Sequence, residues 1–148
     1  MNTRRSILCL FPLALALGAC GHGHQAWLAQ PVVAGGIQIQ AADAYSDGHR
    51  LHVRAMVFNN GPVPIQVNRD AVVAILPDGR SIPRGQGMTS THTIYTIMPG
   101  LSHEAFVDFP AQGFAWRDLP GAQVNWSNGI TINGMPVQLP PTVLVPGR

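Results

Sequence analysis

Arg50-Leu51-His52-Val53-Arg54-Ala55-Met56-Val57-Phe58 is the stretch that decides the fold. Leu51, Val53, Ala55 and Val57 fall at every second position. Side chains of an extended chain point to alternate faces, so these four form one apolar face, and His52, Arg54, Met56 and Phe58 form the other. A helix would scatter the same four apolar residues over two sides. The run therefore predicts a half-buried β-strand with Leu51, Val53, Ala55 and Val57 in the core. Asn59-Asn60-Gly61-Pro62 breaks it, because proline lacks the N–H that a sheet ladder needs.

Working outward, the same pattern recurs between turn signals. Upstream, Ile37 to Tyr45 is a run closed by Ser46-Asp47-Gly48. Downstream, Pro64 to Asn68 starts a strand, and Ala71 to Leu76 is almost continuously apolar and ends at Pro77-Asp78-Gly79. Arg80 to Pro83 reads as a short return strand and Arg84 to Ser90 as a loop. Thr91 to Met98 and Leu101 to Phe109 flank Pro99-Gly100. Pro110 to Gly121 reads as a long surface connection. Ala122 to Trp126, Gly129 to Ile132 and Met135 to Leu139 close the chain as short strands, the last two joined by Asn133-Gly134, the strongest hairpin signal present. No stretch keeps a helical period over three turns. Short alternating runs between turns predict an all-β, immunoglobulin-like antiparallel β-sandwich of seven or eight strands over residues 37–148.

The first thirty-six residues read differently. Arg4 and Arg5 precede an apolar run from Ile7 to Leu17 that contains Pro12, too short for the roughly 20 residues a membrane span requires. Leu17-Gly18-Ala19-Cys20 follows, and this order of basic, apolar, small and cysteine resembles the lipobox of a bacterial lipoprotein signal peptide. The resemblance implies a cleaved signal over residues 1–19 and a covalent lipid, palmitate among its acyl chains, on the Cys20 thiol. The mature chain would then be held to a membrane by its first residue. Cleavage by ordinary signal peptidase, with Cys20 incidental, is the competing reading. Thr3-Arg4-Arg5-Ser6-Ile7-Leu8 also looks like a twin-arginine export motif, so the export route stays open. Gly21 rather than aspartate follows the cysteine, which in similar lipoproteins of double-membraned bacteria implies the outer membrane, facing the periplasm or the surface. Residues 20–36 carry Gly21-His22-Gly23-His24 at one end and Gly35-Gly36 at the other, and read as a flexible tether.

Composition narrows the function. Removing residues 1–19 from 148 leaves 129, enough for one domain to bury a core without staples. Cys9 would leave with the signal and Cys20 would carry lipid, so no disulfide is available. Every basic residue is arginine, and seven of them remain against seven acidic residues, with no basic run. A chain so balanced carries no nucleic-acid footprint. Membrane attachment by a multiply acylated cysteine needs no polybasic patch.

A second resemblance rests on the central stretch. Val53 to Phe58, the corner Asn59-Asn60-Gly61, the run Pro64-Ile65-Gln66-Val67, the strand ending at Asp78-Gly79, then Pro99-Gly100 and Phe106-Val107-Asp108-Phe109-Pro110 resemble the telokin-like immunoglobulin domain of bacterial surface lipoproteins. It covers about residues 51–110, implies the fold, and carries no catalytic residues.

Three kinds of site can be weighed. For metal, His22, His24, His92 and His103 are the candidate ligands, beside His49, His52 and the soft ligands Met56, Met88, Met98 and Met135, which would favour copper. Geometry opposes the simple pairs: His49 and His52 are three apart and point to opposite faces if both are extended. In a tight hairpin around Pro99-Gly100, His103 would lie opposite Thr96 and about 13 Å from His92, although Pro-Gly suits a crossing between sheets as well. For catalysis, a hydrolase is the third reading, and no nucleophile elbow, free mature thiol, His-Glu-x-x-His pair or phosphate-cradling loop occurs. For binding, Phe114, Trp116 and Arg117 sit on the long connection and are of the types enriched at interaction hot spots. The alternative is that the aromatics fold back to plug the open end of the sandwich. The expectation is a non-catalytic, lipid-anchored interaction or structural module of the outer membrane, with no cofactor beyond the lipid and an envelope protein as partner. Periplasmic copper binding is the runner-up.

Overall fold

A computed structural model describes residues 23–85 and 93–148. They form an all-β antiparallel sandwich. Its strands are β1 (Gln25–Ala29), β2 (Val32–Ala34), β3 (Ile37–Ser46), β4 (Arg50–Asn59), β5 (Ile65–Asn68), β6 (Val73–Ile75), β7 (Ser81–Pro83), β8 (Ile94–Ile97), β9 (Ser102–Pro110), β10 (Ala122–Asn125), β11 (Ile130–Ile132), β12 (Met135–Pro136) and β13 (Thr142–Pro146). Two single turns of 3-10 helix, Arg69–Ala71 and Trp116–Asp118, interrupt them. The thirteen strands among the described residues exceed the expected seven or eight: the ten runs read from the sequence each form one strand, β3 to β12, and β1 and β2, in the segment expected as a tether, and β13 add three more.

One sheet runs β7-β6-β10-β13-β1-β3-β4-β9, with β2 alongside β3, and the other runs β12-β11-β5-β8. The expected core face is present: Leu51, Val53, Ala55 and Val57 are fully buried. Across the β4–β9 ladder Leu51 lies opposite Phe109, Val53 opposite Val107 and Ala55 opposite Ala105, all on the inner face. Such cross-strand apolar pairs stabilise a ladder beyond its hydrogen bonds. In β3 the inward positions are Ile37 and Ile39 at one end but Ala44 and Ser46 at the other. A bulge between Ala41 and Asp43 produces the change of parity.

The segment expected as a tether is partly structure. Gln25–Ala29 lies inside the large sheet between β13 and β3, and Trp27 from it is buried. Gly35 and Gly36 both take positive φ, at 57° and 77°, and close a two-residue hairpin in which Ala34 pairs with Ile37. That conformation costs glycine little and disfavours residues with a Cβ. Asn133 and Gly134, at 50° and 79°, make the matching turn between β11 and β12, where the sequence predicted one.

Pro99-Gly100 carries the chain between sheets instead of closing a hairpin. β8 pairs with β5, whereas β9 pairs with β4, so His103 lies opposite Val57 and Thr96 lies opposite Gln66. Asn59 pins this corner. Its buried side-chain amide donates to the carbonyls of Val63 (2.8 Å) and Ile97 (3.0 Å) and accepts from the Gly61 N–H (3.0 Å). Each of the three tryptophans is buried with its indole N–H satisfied: Trp27 on Ser46 Oγ, Trp116 on the Phe109 carbonyl and Trp126 on Thr142 Oγ1, each at 3.0 Å. A buried indole without a partner would forfeit much of what its burial contributes.

Candidate functional site

The expected candidates fall into three groups. Cys20, His22, Met88 and His92 lie outside the described residues. His24 and His103 are far from one site: His24 meets the Tyr45 ring edge-on at 5.5 Å, and His103 sits exposed at the rim of β9 against Tyr95 at 4.2 Å. Tyr95 is itself half-buried, and burial pushes its phenol up to about 12, against the opposing pull of Arg69, so it stays neutral. Among the described residues, no three His, Cys, Asp or Glu side chains are grouped to hold a metal ion.

The aromatic loop divides. Trp116 is fully buried beneath β9, so it serves as the plug and is withdrawn as a partner-binding residue. A large aromatic beside the open end of a sandwich gains more from the core than from solvent. Phe114 is half-buried, edge-on to Trp116 at 5.0 Å, and the Arg80 guanidinium sits 5.6 Å from its ring centre. Arg117 is exposed, with Asp118 at 4.0 Å as its ion partner. Of the three candidate residues, the loop therefore offers Arg117 to solvent in full and Phe114 in part, beneath the Arg80 guanidinium.

Two arrangements escaped the reading of the sequence. The first is a carboxylate–imidazole–carboxylate bridge on the outer face of β4. His52 Nδ1 lies 2.5 Å from Asp108 Oδ1 and Nε2 lies 3.3 Å from Asp47 Oδ2, while Tyr45 stacks on the ring at 4.7 Å. A neutral imidazole has one N–H and an imidazolium two, so only the protonated ring donates to both carboxylates. Burial pushes the Asp47 carboxyl up, but the N–H groups of His49 and Arg50, each at 2.7 Å, and the His52 ring outweigh it and hold Asp47 at about 2. With each ring nitrogen facing a carboxylate, His52 acts as a clasp between the β3–β4 turn and β9. His49 stands outside β4 and joins the bridge only through its backbone N–H on Asp47, and the bridge links a turn, β4 and β9, so spacing along a single strand could not reveal it.

The second arrangement is an outer sheet face without charge. β1, β2, β6, β7, β10 and β13 contain no acidic or basic residue, whereas β3, β4 and β9 carry the charges of that sheet. Leu28 lies directly opposite Val145, and both point outward while Trp27 and Leu144 point in. Leu28 (60%), Val33 (66%), Val143 (49%) and Val145 (46%) are exposed, and with Pro31 and Pro141 they line a groove of about 670 Å³. A second, shallower groove, with Pro77 and Pro120 on its walls, shares Val143 and Val145 with the first. Contiguous exposed aliphatic surface of this kind marks an interaction site more often than scattered apolar residues do.

No protein-family model matches the chain, and no curated protein matches it. Among solved structures it is similar to the yjhA protein from Bacillus subtilis, with a TM-score of 0.52 and 12% sequence identity. That likeness covers 70% of this chain and 83% of the other, and it shows the sandwich fold alone.

Proposed function

We propose that the protein is a lipid-anchored, non-catalytic module of the bacterial outer membrane, facing the periplasm or the surface, that presents its sandwich loops to another envelope protein. The observation that carries this is the order Arg4-Arg5, apolar run, Leu17-Gly18-Ala19-Cys20, placed five residues ahead of the first strand at Gln25. An anchor so close to the fold holds the domain against the membrane, and partner recognition falls to exposed loops. Arg117 and the half-buried Phe114 are the residues that suit it.

Expression of the whole chain in a double-membraned bacterium, followed by detergent partition and membrane fractionation, tests the anchor. The protein partitions with detergent and with outer membrane, and Cys20→Ser moves it to the aqueous phase. Equal behaviour of the two would exclude the anchor. Affinity capture beside the Phe114→Ala/Arg117→Ala double variant tests the loop: a partner retained by the variant would remove these residues from the interface.

A further inference from the structure

We infer that the uncharged outer face built from β1, β2 and β13 docks directly on the lipid surface, so that the anchored domain lies with its Leu28–Val145 groove against the bilayer. The inference rests on the lipid-anchor reading and adds an orientation to it. Three observations lead there. The chain outside the structure ends at residue 22, and β1, whose Leu28 lines the groove, begins three residues later. Cys20 therefore lies at most about 17 Å of extended chain from Gln25, and Leu28 is about 10 Å further along the strand. A lipid on Cys20 cannot hold the membrane far from this face.

The second observation is the absence of charge. The exposed positions around the groove are aliphatic, proline or glutamine, and Asp78 and Arg80, in the β6–β7 turn bordering the shallower groove, pair with each other at 2.7 Å. No ionisable side chain lines the groove, so seating it in the headgroup region takes no lining charge out of water. The third is size. Roughly half of each of four aliphatic side chains amounts to no more than a few hundred Å², against the ~800 Å² per partner of a stable protein interface. Such a patch is too small to recruit a second copy from solution, but an anchor turns docking into an intramolecular event at high effective concentration, where a small patch suffices.

The test uses the whole chain expressed in a bacterium, purified with its native anchor and reconstituted into phosphatidylethanolamine–phosphatidylglycerol vesicles that contain a phospholipid with a diazirine in its acyl chain. After illumination, adducts are mapped by peptide mass spectrometry. Adducts concentrate on residues 28–33 and 140–145, at about tenfold the yield on the equally exposed Met135 at the β11–β12 turn. The Leu28→Asp/Val145→Asp variant, changed only at exposed positions and checked for folding by circular dichroism, loses that enrichment while remaining anchored. Uniform adducts or enrichment around Met135 would each overturn the docking. The intact mass of the same preparation reports acylation of Cys20 separately. If that lipid is absent, the anchor reading fails, and the chain coupled through Cys20 to a maleimide phospholipid still decides whether the face seeks lipid.

Discussion

Replacing Asn59 with alanine is expected to be among the most damaging single changes at a polar residue of this protein. The side chain is buried, and it serves three groups on two segments: the Val63 carbonyl and the Gly61 N–H in the β4–β5 connection and the Ile97 carbonyl at the end of β8. Its backbone adds to the same corner, since the Gly100 N–H donates to the Asn59 carbonyl (2.7 Å) and the Asn59 N–H donates to Leu101 (2.9 Å). Truncation removes all three side-chain bonds. The bond to Ile97 lies in the interior, where losing a donor costs about 1–3 kcal/mol, and the other two are half-buried and cost about 0.5–1.5 kcal/mol each. The sum is about 4 kcal/mol, a large part of the 5–15 kcal/mol that holds a domain of this size together. Urea denaturation read by tryptophan fluorescence should show the midpoint fall with an unchanged slope, and the melting temperature should drop by about 10–20 °C. The Asn59→Asp variant sharpens the test. A carboxylate would turn a second oxygen toward two carbonyls that now receive N–H donors, so this variant should be the less stable of the two at pH 7. Burial and the facing carbonyls raise the introduced carboxyl's folded pKa above its unfolded value of about 3.9. Its stability is then greatest below that unfolded value and is lost as pH rises through the folded one, so the variant should recover relative to the wild type as pH falls toward 4. A loss below about 1 kcal/mol for Asn59→Ala, or an Asn59→Asp penalty indifferent to pH, would refute the account of the corner.

Other changes test other parts of the structure. Gly36→Ala places a Cβ 3.0 Å from the Gly61 Cα at a φ of +77°, and a melt should show about 2–3 kcal/mol lost. Trp116→Phe removes only the indole N–H and part of the ring, and should cost about 1–3 kcal/mol, whereas Arg117→Ala should stay within about 0.5 kcal/mol; the reverse order would mean that the loop does not plug the sandwich. Asp47, lowered from 3.8 to about 2, contributes stability that is complete above 3.8 and disappears as pH falls toward 2. The difference in stability between the wild type and Asp47→Asn should therefore be constant at neutral pH and shrink over that acid window.

Where the sequence could be read and where it could not follows from what kind of signal each element carries. The strand from Leu51 to Val57 and the Asn133-Gly134 turn are local signals, period two and positive φ, and both are in the structure as expected. Residues 25–36 carried similar signals in weaker form. Val32-Val33-Ala34, Gly35-Gly36 and Ile37-Gln38-Ile39 make a hairpin, but glycines at both ends of the segment suggested a tether, and Trp27 lacked periodic neighbours to mark it as core. The bulge at Ala41/Asp43 is set by the partner strand and leaves no local mark. The Asp47–His52–Asp108 bridge spans 61 residues of chain, from a turn to β9, and needed the β4–β9 register that places His52 opposite Asp108. The apolar outer face is a pattern of what is missing. It became visible only when β1, β6, β10 and β13 proved to be neighbours, each being too short to look unusual alone.

The anchor is the claim on which the functional account turns, and the mass of the N-terminal peptide from protein purified out of bacterial membranes tests it most directly. The account predicts a chain that begins at Cys20, with a diacylglyceryl group on its sulfur and a further acyl chain on its amine. A peptide that retains residues upstream of Cys20, or a Cys20 with a free thiol, would contradict it.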